Sequence, residues 1–285
     1  MHDNNHQRSP EIRVVSFCGV DDSVSPGLLQ ILSAKYHWIE WGVVFRGPGL
    51  QGTPRYATEA WVQELARVNY SNDSKMRLAA HLCHLRCQQV IQGDASFVQE
   101  LATLGFSRIQ INSATAINIE SNPDRFWKYA MHLRSAMATV SNVEFIFQLN
   151  DKTLPLYNVL SVDPPTNMSV LFDTSCGTGV ELTALPTPPA NVRCGYAGGI
   201  GPSNIRKILS MVADIDQSNR AISVWIDMES SLRVMTQSCN GQQEMLTLDT
   251  FSIDKCFACV TECVNAGLPV KRNDKSSDIC SIGTH

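Results

Sequence analysis

The sequence has no long hydrophobic run and no segment of the signal-peptide type. Within its 285 residues, no stretch approaches the ~20 consecutive apolar residues that a helix needs to span a bilayer. Residues 1–10 are polar and lack the apolar core of a secretory signal. We therefore predict a cytoplasmic protein that has no membrane partner.

The chain also has little net charge and few aromatic residues. Its formal net charge is −4, its pI is about 6.0, and only 7% of its residues are aromatic. A nucleic-acid interface typically combines a basic stripe with stacking aromatics, and no such stripe is present. We therefore do not expect nucleic acid as a partner.

A disulfide framework and a metal-binding motif are both missing, although there are ten cysteines. Several of them lie inside apolar runs, and without a secretion signal they are predicted to be free thiols. Cys256, Cys259 and Cys263 recur at the spacing of one helix face, which indicates core packing. No further ligands occur at metal-binding spacing, so we predict neither a metal nor a cofactor.

Apolar, β-branched runs alternate with helical patterns along the chain. This alternation requires crossover connections and a parallel sheet. Eight such units in about 250 residues match a (β/α)8 TIM barrel. We predict an α/β fold with one barrel over residues 11–268 and flexible tails at 1–10 and 269–285. The eight predicted strands are 12–17, 38–45, 76–82, 108–111, 143–149, 168–172, 192–197 and 221–226.

An open doubly wound sheet is the alternative architecture. It would carry a dinucleotide-binding fingerprint after its first strand. The residues at that point, Cys18-Gly19-Val20-Asp21, do not form one. The barrel is therefore preferred.

Polar side chains gather at the carboxyl ends of the predicted strands, which is where barrel enzymes place their catalytic residues. Residues two apart point to the same side of a strand. Burying four such polar pairs in a core would cost free energy. Together they therefore predict a site in the barrel mouth. The pairs are Gln110/Asn112, Gln148/Asn150, Asp173/Ser175 and Asp227/Glu229.

Two adjacent glycines, Gly198 and Gly199, follow the seventh predicted strand and precede a helix. Glycines permit a tight turn and the close approach of a ligand. The helix N-terminus adds unpaired N–H groups and the positive end of its dipole, which suit a phosphate. Pro202 is predicted to lie in the first turn of that helix. An ordinary strand-to-helix turn is the alternative.

Asp173 and Cys18 are the candidate catalytic residues. Asp173 follows an apolar run, so its carboxylate must be paired or its pKa must be raised, and a raised pKa suits a general acid. Its alternative role is to cap the turn that follows. Cys18 ends the first strand, and as a thiolate it would serve as base or nucleophile. Its alternative role is that of a buried structural thiol.

Five short motifs resemble the phosphoribosylanthranilate isomerase family of tryptophan biosynthesis. They occur in the family's order over most of the barrel, roughly residues 14–260. The resemblance implies a phosphate-binding (β/α)8 barrel with isomerase activity. The motifs are Cys18-Gly19, Thr53-Pro54-Arg55-Tyr56, Leu171-Phe172-Asp173 with Cys176-Gly177-Thr178-Gly179, Ala197-Gly198-Gly199-Ile200-Gly201-Pro202-Ser203-Asn204, and Asp227-Met228-Glu229-Ser230-Ser231.

The resemblance implies an Amadori rearrangement of N-(5-phosphoribosyl)anthranilate without a metal or cofactor. Asp173 would protonate the furanose ring oxygen, and the Cys18 thiolate would remove the proton at C2. Arg55 would hold the anthranilate portion. The expected partner is thus a phosphorylated sugar, bound by a monomer or homodimer. The other expected substrate contacts are His81, Gln148, Asn150, Gly177 and Gly179, and the expected phosphate contacts are Gly198, Gly199, Ser230 and Ser231.

The sequence departs from the family pattern at the barrel mouth. Phe17 stands where the family has a lysine, so the positive charge that would lower the pKa of the neighbouring thiol is missing. The loop after strand eight is rewritten as Ser231-Leu232-Arg233, and a segment up to Leu248 is inserted. Two alternatives follow: an isomerase or epimerase acting on another phosphorylated sugar, or a non-catalytic phosphate-binding barrel.

Overall fold

Eight parallel strands close into a barrel in chain order, with the eighth strand paired to the first. The computed structural model describes residues 12–113, 123–173, 182–189, 192–215, 224–239 and 245–271. The predicted (β/α)8 architecture is confirmed. The barrel strands are β1 (Ile12–Cys18), β2 (Ile39–Phe45), β3 (Arg77–Leu82), β4 (Arg108–Ile111), β5 (Glu144–Leu149), β6 (Met168–Asp173), β7 (Arg193–Ala197) and β8 (Val224–Met228).

Helices follow the strands and cover the outside of the barrel. Side-chain oxygens cap three of them: Ser25 accepts a hydrogen bond from the Gly27 N–H, Thr58 from the Trp61 N–H and Ser252 from the Lys255 N–H. The helices are α1 (Pro26–Lys35), α2 (Glu59–Ser71), α3 (His84–Ile91), α4 (Ser96–Thr103), α5 (Pro123–Thr139), α6 (Leu154–Leu160), α7 (Ile205–Ala213) and α8 (Ile253–Asn265).

The structure contains two elements that the sequence analysis did not predict. Helix α3 lies between β3 and α4. After β8, the inserted segment forms an antiparallel hairpin of β9 (Arg233–Cys239) and β10 (Met245–Phe251). The hairpin is a separate two-stranded sheet and adds no strand to the barrel.

A cluster of charged side chains fills the amino-terminal end of the barrel interior. Arg108 Nη1 lies 2.7 Å from Glu40 Oε1, and Arg108 Nη2 lies 3.3 Å from Glu144 Oε1. The Arg108 guanidinium also stacks 4.3 Å from the centre of the Trp225 ring. These charges are buried, so each depends on its partner for compensation.

An apolar layer lies above this cluster and below the barrel mouth. Its members lie on β1, β5, β6, β7 and β8, which are neighbours around the closed barrel. Gly195 leaves the space that the Trp225 indole occupies, since an added Cβ would lie 2.2 Å from Trp225 Cε2. The layer consists of Val14, Ile146, Leu171, Ala197 and Trp225.

The structure also bears on the predicted cysteine stripe and C-terminal tail. Cys256, Cys259 and Cys263 are buried on α8, as predicted. The predicted tail at 269–285 begins too early, because the Trp38 indole donates a hydrogen bond to the Pro269 carbonyl and the Lys271 N–H donates one to the Lys35 carbonyl. Residues 1–11 and 272–285 lie outside the described part. None of the helices in the described ranges has the length and apolar character of a membrane span.

Candidate functional site

A cavity opens at the carboxyl ends of the barrel strands. Its empty space is about 500 Å³ with the open solvent at its mouth included. Strands β4, β5, β6, β7 and β8 and the segments that follow them supply its walls. The lining residues are Gln110, Asn112, Gln148, Leu171, Asp173, Ala197, Gly198, Gly199, Ile200, Asp227, Met228, Glu229 and Ser230.

The cavity brings together many of the residues that the sequence analysis selected. Gln148, Asp173, Gly198, Gly199 and Ser230 line it. So do both members of two of the predicted polar pairs, the pair on β4 and the pair on β8. The predicted contacts at positions 175, 177 and 179 lie outside the described residues.

Asp173 ends β6 and is only 6% exposed. Its Oδ2 accepts a hydrogen bond of 2.7 Å from the amide nitrogen of Gln148. The buried Gln148 Oε1 has no hydrogen-bond partner among the described residues. Because an unpaired buried acceptor is costly, this oxygen is available to a hydroxyl or amine of a bound ligand.

Asp227 is a second carboxyl group on the cavity wall, and it is 6% exposed. Burial raises its pKa well above the ordinary value, and the neighbouring carboxylates of Glu229, Glu40 and Asp173 act in the same direction. Its Oδ1 has no hydrogen-bond partner within the described part of the chain. The protonated form is therefore favoured, and that form can donate a hydrogen bond or a proton.

Arg55 contacts the rim of the cavity through Glu229. Its Nη1 lies 3.3 Å from Glu229 Oε1, and its Nη2 lies 3.5 Å from Asp249 Oδ2 on the hairpin. Burial raises the pKa of Glu229, while the guanidinium groups of Arg55 and Arg233 act in the opposite direction. The Arg55 backbone has a φ of +77°, and its N–H donates to Asp21 Oδ2.

Arg233 fastens the hairpin to the loop after β1, a role that the sequence analysis did not assign. Its guanidinium donates hydrogen bonds to the Gly19 carbonyl at 2.6 Å, to Asp21 Oδ2 at 2.7 Å and to Asp249 Oδ1 at 2.5 Å. Burial alone would raise the pKa of Asp21, but hydrogen bonds from Ser23 and Arg233 outweigh it and lower that pKa. These contacts tie the segment after β8 to the loop after β1.

Cys18 and His81 meet directly below the mouth. Cys18 Sγ lies 3.1 Å from His81 Nδ1, and both side chains are at most 1% exposed. Burial raises the pKa of the Cys18 thiol well above its usual value, and Glu229 and Asp227 raise it further. Burial lowers the pKa of His81 to about 3. In the described residues, neither side chain lines the cavity, whereas a substrate contact was expected for each.

The glycine loop after β7 has the backbone that two glycines permit. Gly198 has a φ of +121° and Gly199 a φ of +57°, conformations that side chains rarely adopt. Asn204 Nδ2 donates to the Gly199 carbonyl, and Asn204 Oδ1 accepts from the Gly201 N–H. The prediction for Pro202 is wrong, because α7 begins at Ile205 and Asn204 is its N-cap.

Two other predicted contact residues make hydrogen bonds within the protein. Asn150 does not line the cavity in the described residues; its Oδ1 accepts from the N–H groups of Lys152 and Thr153 in the turn before α6. The Ser231 hydroxyl donates to the Ile200 carbonyl, which ties the loop after β8 to the glycine loop. Both residues shape the site through the backbone.

The described residues contain no group of three or more His, Cys, Asp or Glu side chains arranged to hold a metal ion. The polar groups that line the cavity are carboxyl and amide side chains together with backbone. Such groups can bind hydroxyls and a phosphate, and they can move protons.

Comparison with known proteins finds similarity in fold only. No protein-family model and no curated protein matches the chain. The native KDPGal structure is 12% identical over 90% of this chain and 96% of that chain, with a TM-score of 0.41. A Rubisco-like protein from Rhodopseudomonas palustris is 8% identical over 94% and 66%, with a TM-score of 0.40. The tryptophan synthase complex from Pyrococcus furiosus is 9% identical over 79% and 89%, with a TM-score of 0.40.

Proposed function

We propose that this chain is an isomerase that carries out the Amadori rearrangement of N-(5-phosphoribosyl)anthranilate. One observation carries the proposal: Asp173, held by Gln148, shares one cavity with the Gly198–Gly199 loop. A buried acid and a phosphate-type loop at the carboxyl ends of the strands are what this reaction requires of a barrel. The substrate is proposed from the resemblance of the sequence motifs to the phosphoribosylanthranilate isomerase family.

The reaction needs one proton donor and one proton acceptor. Asp173 protonates the furanose ring oxygen, and the C1–O bond breaks as the nitrogen lone pair forms an iminium. Cys18, as thiolate, takes the proton from C2 and returns it to C1. The hydroxyl proton at C2 passes to Asp173, so that both groups are regenerated. Substrate and product are isomers, and no electrons enter or leave.

The phosphate would bind at the glycine loop, beside Ser230. Three carboxyl groups in the same cavity would repel it if all were ionised. The raised pKa of Asp227 and the pairing of Glu229 with Arg55 lower that negative charge. Backbone N–H groups of a left-handed glycine turn are suitable donors for phosphate oxygens.

A second candidate is an isomerase or epimerase that acts on a different phosphorylated sugar. One observation favours it: Arg55, the expected partner of the anthranilate carboxylate, already lies between Glu229 and Asp249. A guanidinium group that already pairs with two carboxylates binds a third carboxylate more weakly. An uncharged sugar hydroxyl would suit this rim better than an anthranilate carboxylate.

Turnover of phosphoribosylanthranilate, followed as loss of anthranilate fluorescence, tests the proposal. The wild type should be active, and Asp173→Asn and Cys18→Ala should each lower kcat by roughly 10²- to 10⁴-fold. Asp163→Asn is the matched control, because that side chain is 94% exposed and should leave kcat unchanged.

The outcomes separate the candidates. Folded wild-type protein that binds ribose 5-phosphate without turning over phosphoribosylanthranilate would overturn the first candidate in favour of the second. Full activity of Asp173→Asn would refute the assigned acid. Absence of both turnover and sugar-phosphate binding would refute both candidates.

A further inference from the structure

The contact between Cys18 and His81 depends on a gap in the strand between them. Cys18 lies on β1 and His81 on β3, and β2 separates the two strands. Gly42 on β2 lacks the side chain that would keep them apart. An added Cβ there would lie 2.9 Å from Cys18 Cβ and 2.9 Å from His81 Nε2. The glycine therefore allows the sulfur and the ring to touch at 3.1 Å.

Asp227 stands on the other side of the His81 ring. Its Oδ1 lies 4.0 Å from His81 Nε2 and has no hydrogen-bond partner among the described residues. This separation is longer than a hydrogen bond, and an acceptor oxygen near Nε2 favours the tautomer with its hydrogen on that nitrogen over one with a lone pair there. The same tautomer leaves the lone pair of Nδ1 facing the sulfur, since the partner of one ring nitrogen sets the state of the other.

We propose that His81 is the proton acceptor of the Cys18 thiol. The inference rests on the proposed function. The S–H bond breaks, the proton moves to Nδ1, and the electron pair stays on sulfur. The resulting thiolate takes the C2 proton of the iminium, and the proton on Nδ1 returns to sulfur when the cycle closes.

The surrounding charges set when this transfer occurs. Asp227, Glu229 and Cys83 face Cys18 and oppose thiolate formation. Arg108 faces His81 and opposes its protonation. The resting pair is therefore neutral, a thiol beside an imidazole. The positive charge of the iminium favours the thiolate, so the base forms when the substrate ring has opened.

His81 offers a way to form the Cys18 thiolate although no positively charged residue precedes the thiol. Phe17 directly precedes Cys18, so the neighbouring residue in the chain brings no positive charge to the thiol. A histidine from a different strand can remove the thiol proton where no lysine lowers the thiol pKa. No other ring nitrogen in the described residues contacts Cys18.

The first test reads the ring nitrogens of His81 directly, by NMR of the full chain labelled with ¹⁵N-histidine. We expect an unprotonated Nδ1 whose resonance moves in Cys18→Ala and stays in place in Cys83→Ala. A hydrogen on Nδ1, or an Nδ1 resonance unchanged in Cys18→Ala, would overturn the proposal. This measurement needs no turnover, so it decides the inference even if the wild type proves inactive toward phosphoribosylanthranilate.

The second test uses the pH dependence of turnover. His81→Gln should lower kcat by roughly 10²- to 10⁴-fold, with KM nearly unchanged because the ring does not line the cavity in the described residues. Wild-type kcat should be flat between about pH 7 and 9, whereas kcat of the variant should rise tenfold per pH unit, since its thiol must ionise to solvent.

A matched control separates this role from structural damage. His84→Asn changes an exposed histidine three residues away and keeps a residue that tolerates the positive φ at that position. It should keep the wild-type kcat and pH profile. A His81→Gln variant with the wild-type pH profile would show that the ring accepts no proton from Cys18.

Discussion

Replacing Gly195 with alanine should destabilise the barrel strongly. The added Cβ would lie 2.2 Å from Trp225 Cε2 and 2.4 Å from both Cδ2 and Nε1. Carbon atoms in contact normally stand about 3.5–4.0 Å apart, so three ring atoms would overlap the new methyl group. Trp225 has little room to move, because it is 1% exposed and Arg108 stacks 4.3 Å from its ring centre.

The size of the effect follows from this overlap. Overpacking a well-packed core costs about 1–3 kcal/mol, occasionally more, and a clash with a rigid ring belongs at the upper end. We expect Gly195→Ala to lower the free energy of unfolding by about 3 kcal/mol. At about 2–4 °C per kcal/mol for a chain of this size, Tm should fall by about 6–12 °C. Urea denaturation measures the free energy of unfolding and thermal denaturation measures Tm, each followed by circular dichroism.

Two further variants test the explanation. Gly27→Ala is the control, because a Cβ at that position in α1 meets only Ser25 Oγ at 3.6 Å and alanine favours the helix. Trp225→Ala removes all three clashing ring atoms, so the cost of Gly195→Ala should shrink to below about 1 kcal/mol in that background. An equal cost in both backgrounds would refute the steric argument.

Three other predictions concern charged residues. Arg55→Ala should raise KM for phosphoribosylanthranilate roughly 10- to 100-fold, because a hydrogen bond to a charged group contributes about 1.5–3 kcal/mol. Arg108→Met should lower the free energy of unfolding by about 3–5 kcal/mol, since the buried carboxylate of Glu40 loses its partner. Asp21 has a lowered pKa in the folded state, so its ionised form stabilises the fold above the unfolded-state pKa of about 3.9, and this contribution is lost as pH falls. Asp21→Asn should therefore reduce stability near pH 7 and weaken its dependence on acid, measured by urea titrations at several pH values.

Each of these predictions has a result that contradicts it. An unchanged KM in Arg55→Ala would remove Arg55 from the substrate site. Arg108→Met should be largely rescued by Glu40→Gln, and a failure of that rescue would show that the loss comes from packing. A wild-type slope of stability against pH in Asp21→Asn would show that other carboxylates govern acid unfolding.

The barrel could be predicted because its strands are buried on both faces. Every residue of β5 is buried, and such strands read as continuous apolar runs with polar residues only at their ends. The polar pairs stand out at the ends of these apolar runs, and they therefore indicated a site in the barrel mouth. Gln110, Asn112, Asp227 and Glu229 line the cavity because inward positions repeat every second residue.

The missed elements lack such a pattern. No side chain caps the start of α3, where Cys83 is the N-cap and His84 has a φ of +46°. The β9–β10 strands carry many polar residues, and Val234, Met235 and Leu248 are exposed, so no buried apolar run marks these strands in the sequence. The sequence signals that mark the start of a helix or a buried strand are therefore weak in these segments.

The pairing of Cys18 with His81 needs the register of three strands, which no local pattern contains. One signal was available, because Gly42 interrupts the apolar run of β2. A glycine inside a strand often marks a close approach of neighbouring groups. The residues that meet across that gap follow only from the alignment of Cys18 with Gly42 and of Val44 with His81.

The ion pair between Arg233 and Asp21 joins residues 212 positions apart in the chain. On a ribosome that adds about 5–20 residues per second, roughly 10–40 s separate the synthesis of the two partners. Throughout that interval one edge of β1 is unpaired, because its partner in the barrel is β8. The closure of the barrel and the contact between the hairpin and the loop after β1 therefore both depend on residues that are synthesised in the last quarter of the chain.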